Sequence, residues 1–176
     1  METTHDLSYA LLGGGCFWCL EAAYELLPGV ASVTSGYAGG TRDSPSYEEV
    51  CTGETGHAEV VRVAFDPRKL GYEAILGLFW KIHDPTTLNR QGGDVGTQYR
   101  SVIFYADEAQ RKAAESSMQA EATRRGEALV TQLLPAPRFW QAEDYHQGYF
   151  RSHPNAGYCR AVIAPKISKL HFPITG

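Results

Sequence analysis

Short apolar segments in this chain switch repeatedly between a period of about 2 and a period of about 3.6, with Gly and Pro clusters at the switches. That pattern predicts a mixed α/β domain in which strands and helices share one core. Leu7 to Leu12 reads as a buried strand, and Gly13-Gly14-Gly15 as a turn. A helix follows with Phe17, Leu20, Tyr24 and Leu27 on one stripe, ended by Pro28-Gly29. Val33, Ser35 and Tyr37 belong to a second strand, closed by Gly39-Gly40. Glu59 to Phe65 is a third strand, ended by Asp66-Pro67. A second helix covers Tyr72 to His83, and a polar loop from Asp84 to Thr97 precedes a fourth strand, Tyr99 to Tyr105. Loops of that length are often functional. Asp107 and Gln110 resemble a capping box for a third helix that runs to about Arg125 before Gly126. Leu129 to Leu134 is a further strand, stopped by Pro135-Ala136-Pro137. The last ~35 residues, rich in Gly, Pro, aromatics and His, read mainly as loop.

A length of 176 residues suits one domain, and 43% apolar with 20% charged residues excludes extensive disorder. No window approaches the ~18 apolar residues of a membrane span. Met1 to Ser8 carries no Lys or Arg and does not read as a signal peptide. A net charge of −4 argues against general affinity for nucleic-acid phosphates. Four cysteines are too few for a disulfide framework, so they point to chemistry.

Cys16 stands where the glycine turn becomes a helix. Unpaired backbone N–H groups and the positive helix end favour a thiolate there, so Cys16 is expected to titrate below the ~8.5 of a free cysteine. The alternative is a structural cysteine beside a turn. Trp18 falls off the apolar stripe and suits a wall beside Cys16. Cys19 gives the pair the spacing of a redox CxxC. Zinc is not expected, because Cys51 and Cys159 are solitary and none of the histidines has a partner at ligand spacing.

In the strand containing Glu59, that residue shares a face with Val61, Val63 and Phe65. Apolar surroundings would raise its pKa and fit it for general-acid work. A strand-end glutamate that reaches solvent or pairs with an arginine explains the spacing somewhat better. Asp94 to Ser101 and Glu143 to Gln147 are polar clusters with phenols. Tyr47 and Tyr99 could donate hydrogen bonds to a developing oxyanion or simply pack.

Six segments together resemble the peptide methionine sulfoxide reductase A family. They are Gly-Cys-Phe-Trp at 15–18, Gly-Tyr-Ala-Gly-Gly at 36–40, Thr-Gly-His-Ala-Glu at 55–59, Gly-Thr-Gln-Tyr-Arg-Ser at 96–101, Glu-Asp-Tyr-His-Gln at 143–147 and Gly-Tyr-Cys at 157–159. The resemblance spans about residues 8 to 165. It implies an α+β fold, a single-domain α/β sandwich over residues 1–176 with a ferredoxin-like core and an irregular C-terminal segment. It implies that Cys16 attacks the sulfur of the S epimer of methionine sulfoxide, free or in peptides and proteins. Glu59 is then the acid for the sulfoxide oxygen, and Tyr47, Tyr99 and Asp94 complete the polar cluster around that oxygen. Gly15, Phe17, Trp18 and His146 would form the substrate site, with Phe17 and Trp18 against the methyl group. The product on the enzyme is a Cys16 sulfenic acid. No cofactor is implied. Thioredoxin or dithiothreitol serves as reductant, and the remaining expectations are a cytoplasmic monomer without nucleic-acid or membrane partners.

Cys19 stands where many family members carry glycine. Cys159 matches the usual resolving cysteine, and is expected to attack the sulfenic acid before Cys19, because helix geometry limits direct closure of the CxxC. Cys51 is expected to be a structural thiol. A general thiol–disulfide oxidoreductase using Cys16 and Cys19, and a non-catalytic redox sensor, stay open as other readings.

Overall fold

In a computed structural model, residues 6–170 are described. The third strand read from the sequence, β3 (Ala58–Phe65), organises the sheet. Only Arg62 along it is exposed, so both its faces are covered. It lies between β1 (Ser8–Gly13) and β2 (Val30–Ala38), antiparallel to both. Beyond β1 come β6 (Val102–Tyr105), antiparallel, and β7 (Gln132–Pro135), parallel to β6. Beyond β2 lies the short β8 (Trp140–Gln141). The order is β7-β6-β1-β3-β2-β8. Its central part, β6-β1-β3-β2 with all neighbours antiparallel, is the ferredoxin-like arrangement that the resemblance implied.

Residues of opposite parity on β3 serve two cores. Val61, Val63 and Phe65 face the main core with Phe17, Leu20, Tyr24, Ile75 and Phe79. Val60 and Ala58 face a smaller cluster with Leu11, Val102 and Phe104. Helix α1 (Phe17–Glu25) is buried almost all round, because the sheet covers one side and the C-terminal segment the other. The Tyr24 hydroxyl donates to the Ile75 carbonyl at 2.7 Å and ties α1 to α3 (Tyr72–Ile82). Glu21 accepts from the Gly148 N–H at 2.7 Å and from Ser35 at 3.2 Å, fastening the C-terminal segment over α1. Helix α4 (Glu108–Arg125) packs on α3 and ends at Gly126 in the left-handed region.

Several expectations need correction. The expected box at α4 is half formed: Asp107 accepts from the Gln110 N–H, but the Gln110 side chain turns to the Ala106 N–H. The Asp84 to Thr97 loop contains a hairpin of β4 (Arg90–Gln91) and β5 (Asp94–Val95). Tyr99 lies in a 3₁₀ turn, Thr97–Tyr99, before the strand instead of in it. The unforeseen α2 (Tyr47–Cys51) has a full capping box between Ser46 and Glu49. The C-terminal segment carries β8, a 3₁₀ turn at Asp144–His146, α5 (Tyr149–Ser152), a π-helical turn at Cys159–Ile163 and α6 (Ala164–Ser168). These helices are too short to show a period, and they form by packing on α1. His5 and His171, counted in the zinc argument, lie outside the described residues. Among the described residues no helix is long and apolar enough to cross a membrane.

Candidate active site

The turn from β1 into α1 is shaped by backbone contacts that leave no room for side chains. Gly15 has φ +87° and donates its N–H to the Tyr99 carbonyl at 3.1 Å. A Cβ on Gly14 would come within 2.9 Å of the His83 ring. That ring is itself fixed by hydrogen bonds to the Phe79 carbonyl and the Ser101 hydroxyl. Cys16 therefore becomes the N-cap of α1, with extended φ/ψ of −65° and 129°.

The start of β3 delivers Glu59 to the same place. Its Oε1 accepts the N–H of Phe17, the residue after Cys16, at 3.1 Å. Its Oε2 is buried and has no hydrogen-bond partner among the described residues. Burial pushes the Glu59 carboxyl up to about 8, opposed by the Phe17 hydrogen bond and reinforced by the Asp94 charge. The reading of Glu59 as a solvent-reaching strand end is thereby excluded, since the residue is 1% exposed.

Cys16 overturns the expectation of a low pKa. Burial raises its thiol well above the ordinary cysteine value, and its hydrogen bond to Cys19 and the Glu59 charge raise it further. The Trp18 backbone N–H at the helix start pulls the other way but does not offset burial, and the Phe17 N–H is committed to Glu59. In the resting site the proton stays on Cys16. Cys19, one turn further on, is lowered to about 7 by the hydrogen bond from Cys16 and by the Lys166 charge, against the effect of burial.

Phenols surround this pair. Tyr47 leads α2 and Tyr99 closes the 3₁₀ turn; burial raises both above the ordinary tyrosine value, so both remain donors. The Asp94 carboxylate, on β5, accepts from the Tyr158 hydroxyl at 2.6 Å. An aromatic wall completes the site. Phe17 is fully buried, while Trp18 is half-buried and stacks on Tyr149 at 3.8 Å and 9°. The Trp18 indole N–H donates to His146 Nδ1 at 3.1 Å. His146 lies among Phe17, Trp18 and Tyr47, and burial lowers its pKa, so the ring is neutral. Its Nε2 has no partner among the described residues. Glu143 accepts from the Tyr37 hydroxyl and the Tyr47 N–H, both at 3.0 Å, joining the His146 turn to α2.

Cys159 is buried in the π-helical turn, and burial raises its thiol. Cys51 is exposed at the end of α2, which corrects the expectation of a structural thiol. Among the described residues no group of three or more His, Cys, Asp or Glu could hold a metal ion. Sequence reasoning missed Tyr158, Tyr149, Lys166 and Glu21. Tyr158 stood inside a recognised segment, Gly157-Tyr158-Cys159, without being given a role, and the others carry no local signal.

A cysteine on a helix start, a buried acid beside it and a ring of phenols and aromatics come together on a ferredoxin-like core, a site of the oxidoreductase class. The family model described as peptide methionine sulfoxide reductase matches residues 8–174, and the chain belongs to that family. It is 54% identical over 165 residues to a peptide methionine sulfoxide reductase MsrA of Polynucleobacter asymbioticus, covering 93% of this chain and 87% of the relative. Among solved structures, reduced Mxr1 from Saccharomyces cerevisiae matches with a TM-score of 0.83 at 35% identity, covering 89% of this chain and 92% of that one. Mxr1 in complex with Trx2 matches with a TM-score of 0.60 at 24% identity, covering 84% and 89%.

Proposed function

We propose that the chain reduces the S epimer of methionine sulfoxide, free or in peptides and proteins, through a sulfenic acid on Cys16. The observation that carries this reading is the buried, unpartnered Glu59 Oε2 beside the start of α1. A sulfoxide sulfur is a poor electrophile until its oxygen accepts a proton or strong hydrogen bonds. Glu59, held at about 8, has that proton at neutral pH, and Tyr47 and Tyr99 are donors on the same side. As the substrate oxygen takes the Glu59 proton, the carboxylate left behind accepts the proton of Cys16 and frees the thiolate to attack. The substrate S–O bond breaks, an S–O bond forms on Cys16, and methionine leaves. Phe17 and Trp18 would offer an apolar wall to the methyl group, with His146 beside both rings and Gly15 preceding Cys16 in the turn.

Cys159 or Cys19 then forms a disulfide with Cys16, and thioredoxin reduces it. Mxr1, a relative in fold and sequence, has been solved with Trx2, which supports a small dithiol protein as reductant. No resident cofactor enters this chemistry. A single-domain monomer in the reducing cytoplasm fits a reaction that consumes free thiols.

The contact between Cys16 and Cys19 also favours a second reading, a general thiol–disulfide oxidoreductase. One experiment separates the two. A peptide with racemic methionine sulfoxide is followed by chiral chromatography in excess dithiothreitol. Wild type should consume one epimer only, Cys16→Ser neither, and Glu59→Gln should be slower by about 10²–10⁴ in kcat. Full activity of Glu59→Gln would refute the role of the acid, and no turnover by wild type would leave the disulfide reading.

A further inference from the structure

Cys19 is recessed under α6 and the π-helical turn, and charged or titratable groups face it from every side. Cys16 lies before it as the N-cap of α1, Lys166 on α6 and Tyr158 just before the π-helical turn. Asp94 on β5, Glu59 on β3 and Cys159 also act on it through their charges. The Lys166 ammonium is 4.0 Å from Cys19 Sγ and the Tyr158 hydroxyl is 3.8 Å away. The single hydroxyl proton of Tyr158 is committed to Asp94 at 2.6 Å. Asp94 itself disfavours a second negative charge, so Lys166 is the neighbour whose charge favours a thiolate at Cys19.

We propose that Lys166 is the positioning residue for recycling: it holds Cys19 as the thiolate that makes the first attack on oxidised Cys16. The inference rests on the sulfoxide-reductase reading and deepens it. In the reduced site, a hydrogen bond from the Cys16 thiol also supports the Cys19 thiolate. Oxidation removes that S–H at the moment Cys19 must act, and the Lys166 charge remains. Geometry favours the same partner. Cys16 is an N-cap with extended backbone outside the helix, one turn before Cys19, and its thiol hydrogen-bonds the Cys19 side chain. Helix rigidity therefore does not bar direct closure of the CxxC.

The step balances without an added reactant. The Cys19 sulfur forms the S–S bond, the S–O bond of Cys16 breaks, and hydroxide leaves as water with the proton held on Glu59. Cys19 is oxidised from thiolate to disulfide, and Cys16 is reduced from sulfenic acid. Lys166 also lines a cavity of about 610 Å³ with Lys81, Arg125 and Lys169.

The test compares wild type, Lys166→Met, Lys166→Arg and Cys19→Ala. Thiolate absorbance of the reduced proteins should show in wild type a titration near 7 that Cys19→Ala lacks. It should move toward the ~8.5 of a free cysteine in Lys166→Met and stay in place in Lys166→Arg. Next, enzyme oxidised by a single equivalent of methionine sulfoxide is quenched at intervals and its disulfides are mapped. The first disulfide should be Cys16–Cys19. Lys166→Met should slow it about threefold at pH 7, the net of a smaller thiolate fraction and a more nucleophilic thiolate. At about pH 9.5 the variant should be as fast as wild type or faster. Equal slowing at both pH values, an unmoved titration, or Cys16–Cys159 forming first would overturn the proposal. Absence of methionine in the wild-type reaction would instead overturn the sulfoxide reading, while the titration still judges Lys166.

Discussion

At the scale of single residues, the proposed chemistry depends on where two protons rest. Glu59 at about 8 and Cys16 well above the ordinary cysteine value put a proton on each at neutral pH. Methionine release in a single turnover should therefore be flat up to about pH 7 and fall as pH rises through about 8, where Glu59 loses its proton. Glu59→Gln should be slow and lack that limb; stopped-quench kinetics across pH would show it. The sequence pattern singled out both residues as candidates, each beside a structural alternative, because alternation on a strand and a cysteine after glycines are local signals. The direction of the Cys16 shift was not legible. It depends on burial, on the contact with Cys19 and on the charge of Glu59, which arrives from another strand. Lys166 was invisible for the same reason, since 147 residues separate it from Cys19.

At the scale of elements, β1, α1, β3 and α3 followed their periodicity closely, because long strands and helices with one apolar face declare themselves. The elements that close the site did not. Helix α2 has five residues and α5 has four, too few for a period. Packing within the turn before α1 can be tested against a neutral site. Gly14→Ala would drive a Cβ to 2.9 Å from the fixed His83 ring and should cost about 1–3 kcal/mol. Gly77→Ala, on α3 with nothing within 4 Å of the new Cβ, should instead stabilise by about 0.5–1 kcal/mol. Urea midpoints of the two variants should move in opposite directions.

At the scale of the whole molecule, buried ionisable groups link stability to pH. Glu21 is pushed up to about 7 by burial and by Glu25, and Glu59 to about 8 by burial. Carboxyls raised in the folded state contribute stability that is full below their unfolded values and lost as pH rises through the folded ones. Burial lowers His83 to about 4, so it acts in the opposite sense: its contribution is full above its unfolded value and lost as pH falls toward 4. Above about pH 6.5 only the carboxyls count among these three. The melting temperature should fall between about pH 6.5 and 8.5. Glu21→Gln should flatten the fall by about 2–4 °C, on the order of 1 kcal/mol. Calorimetry at a series of pH values would measure it, and an unchanged slope in the variant would remove Glu21 from the explanation.

The most direct test of sulfoxide chemistry at Cys16 removes both resolving candidates. A Cys19→Ser, Cys159→Ser variant is mixed with excess methionine sulfoxide and no reductant, and methionine and protein mass are followed together. Stoichiometric transfer requires about one equivalent of methionine, with a dimedone-trappable sulfenic acid on Cys16 alone. Methionine without an oxidised Cys16, or none at all, would contradict it.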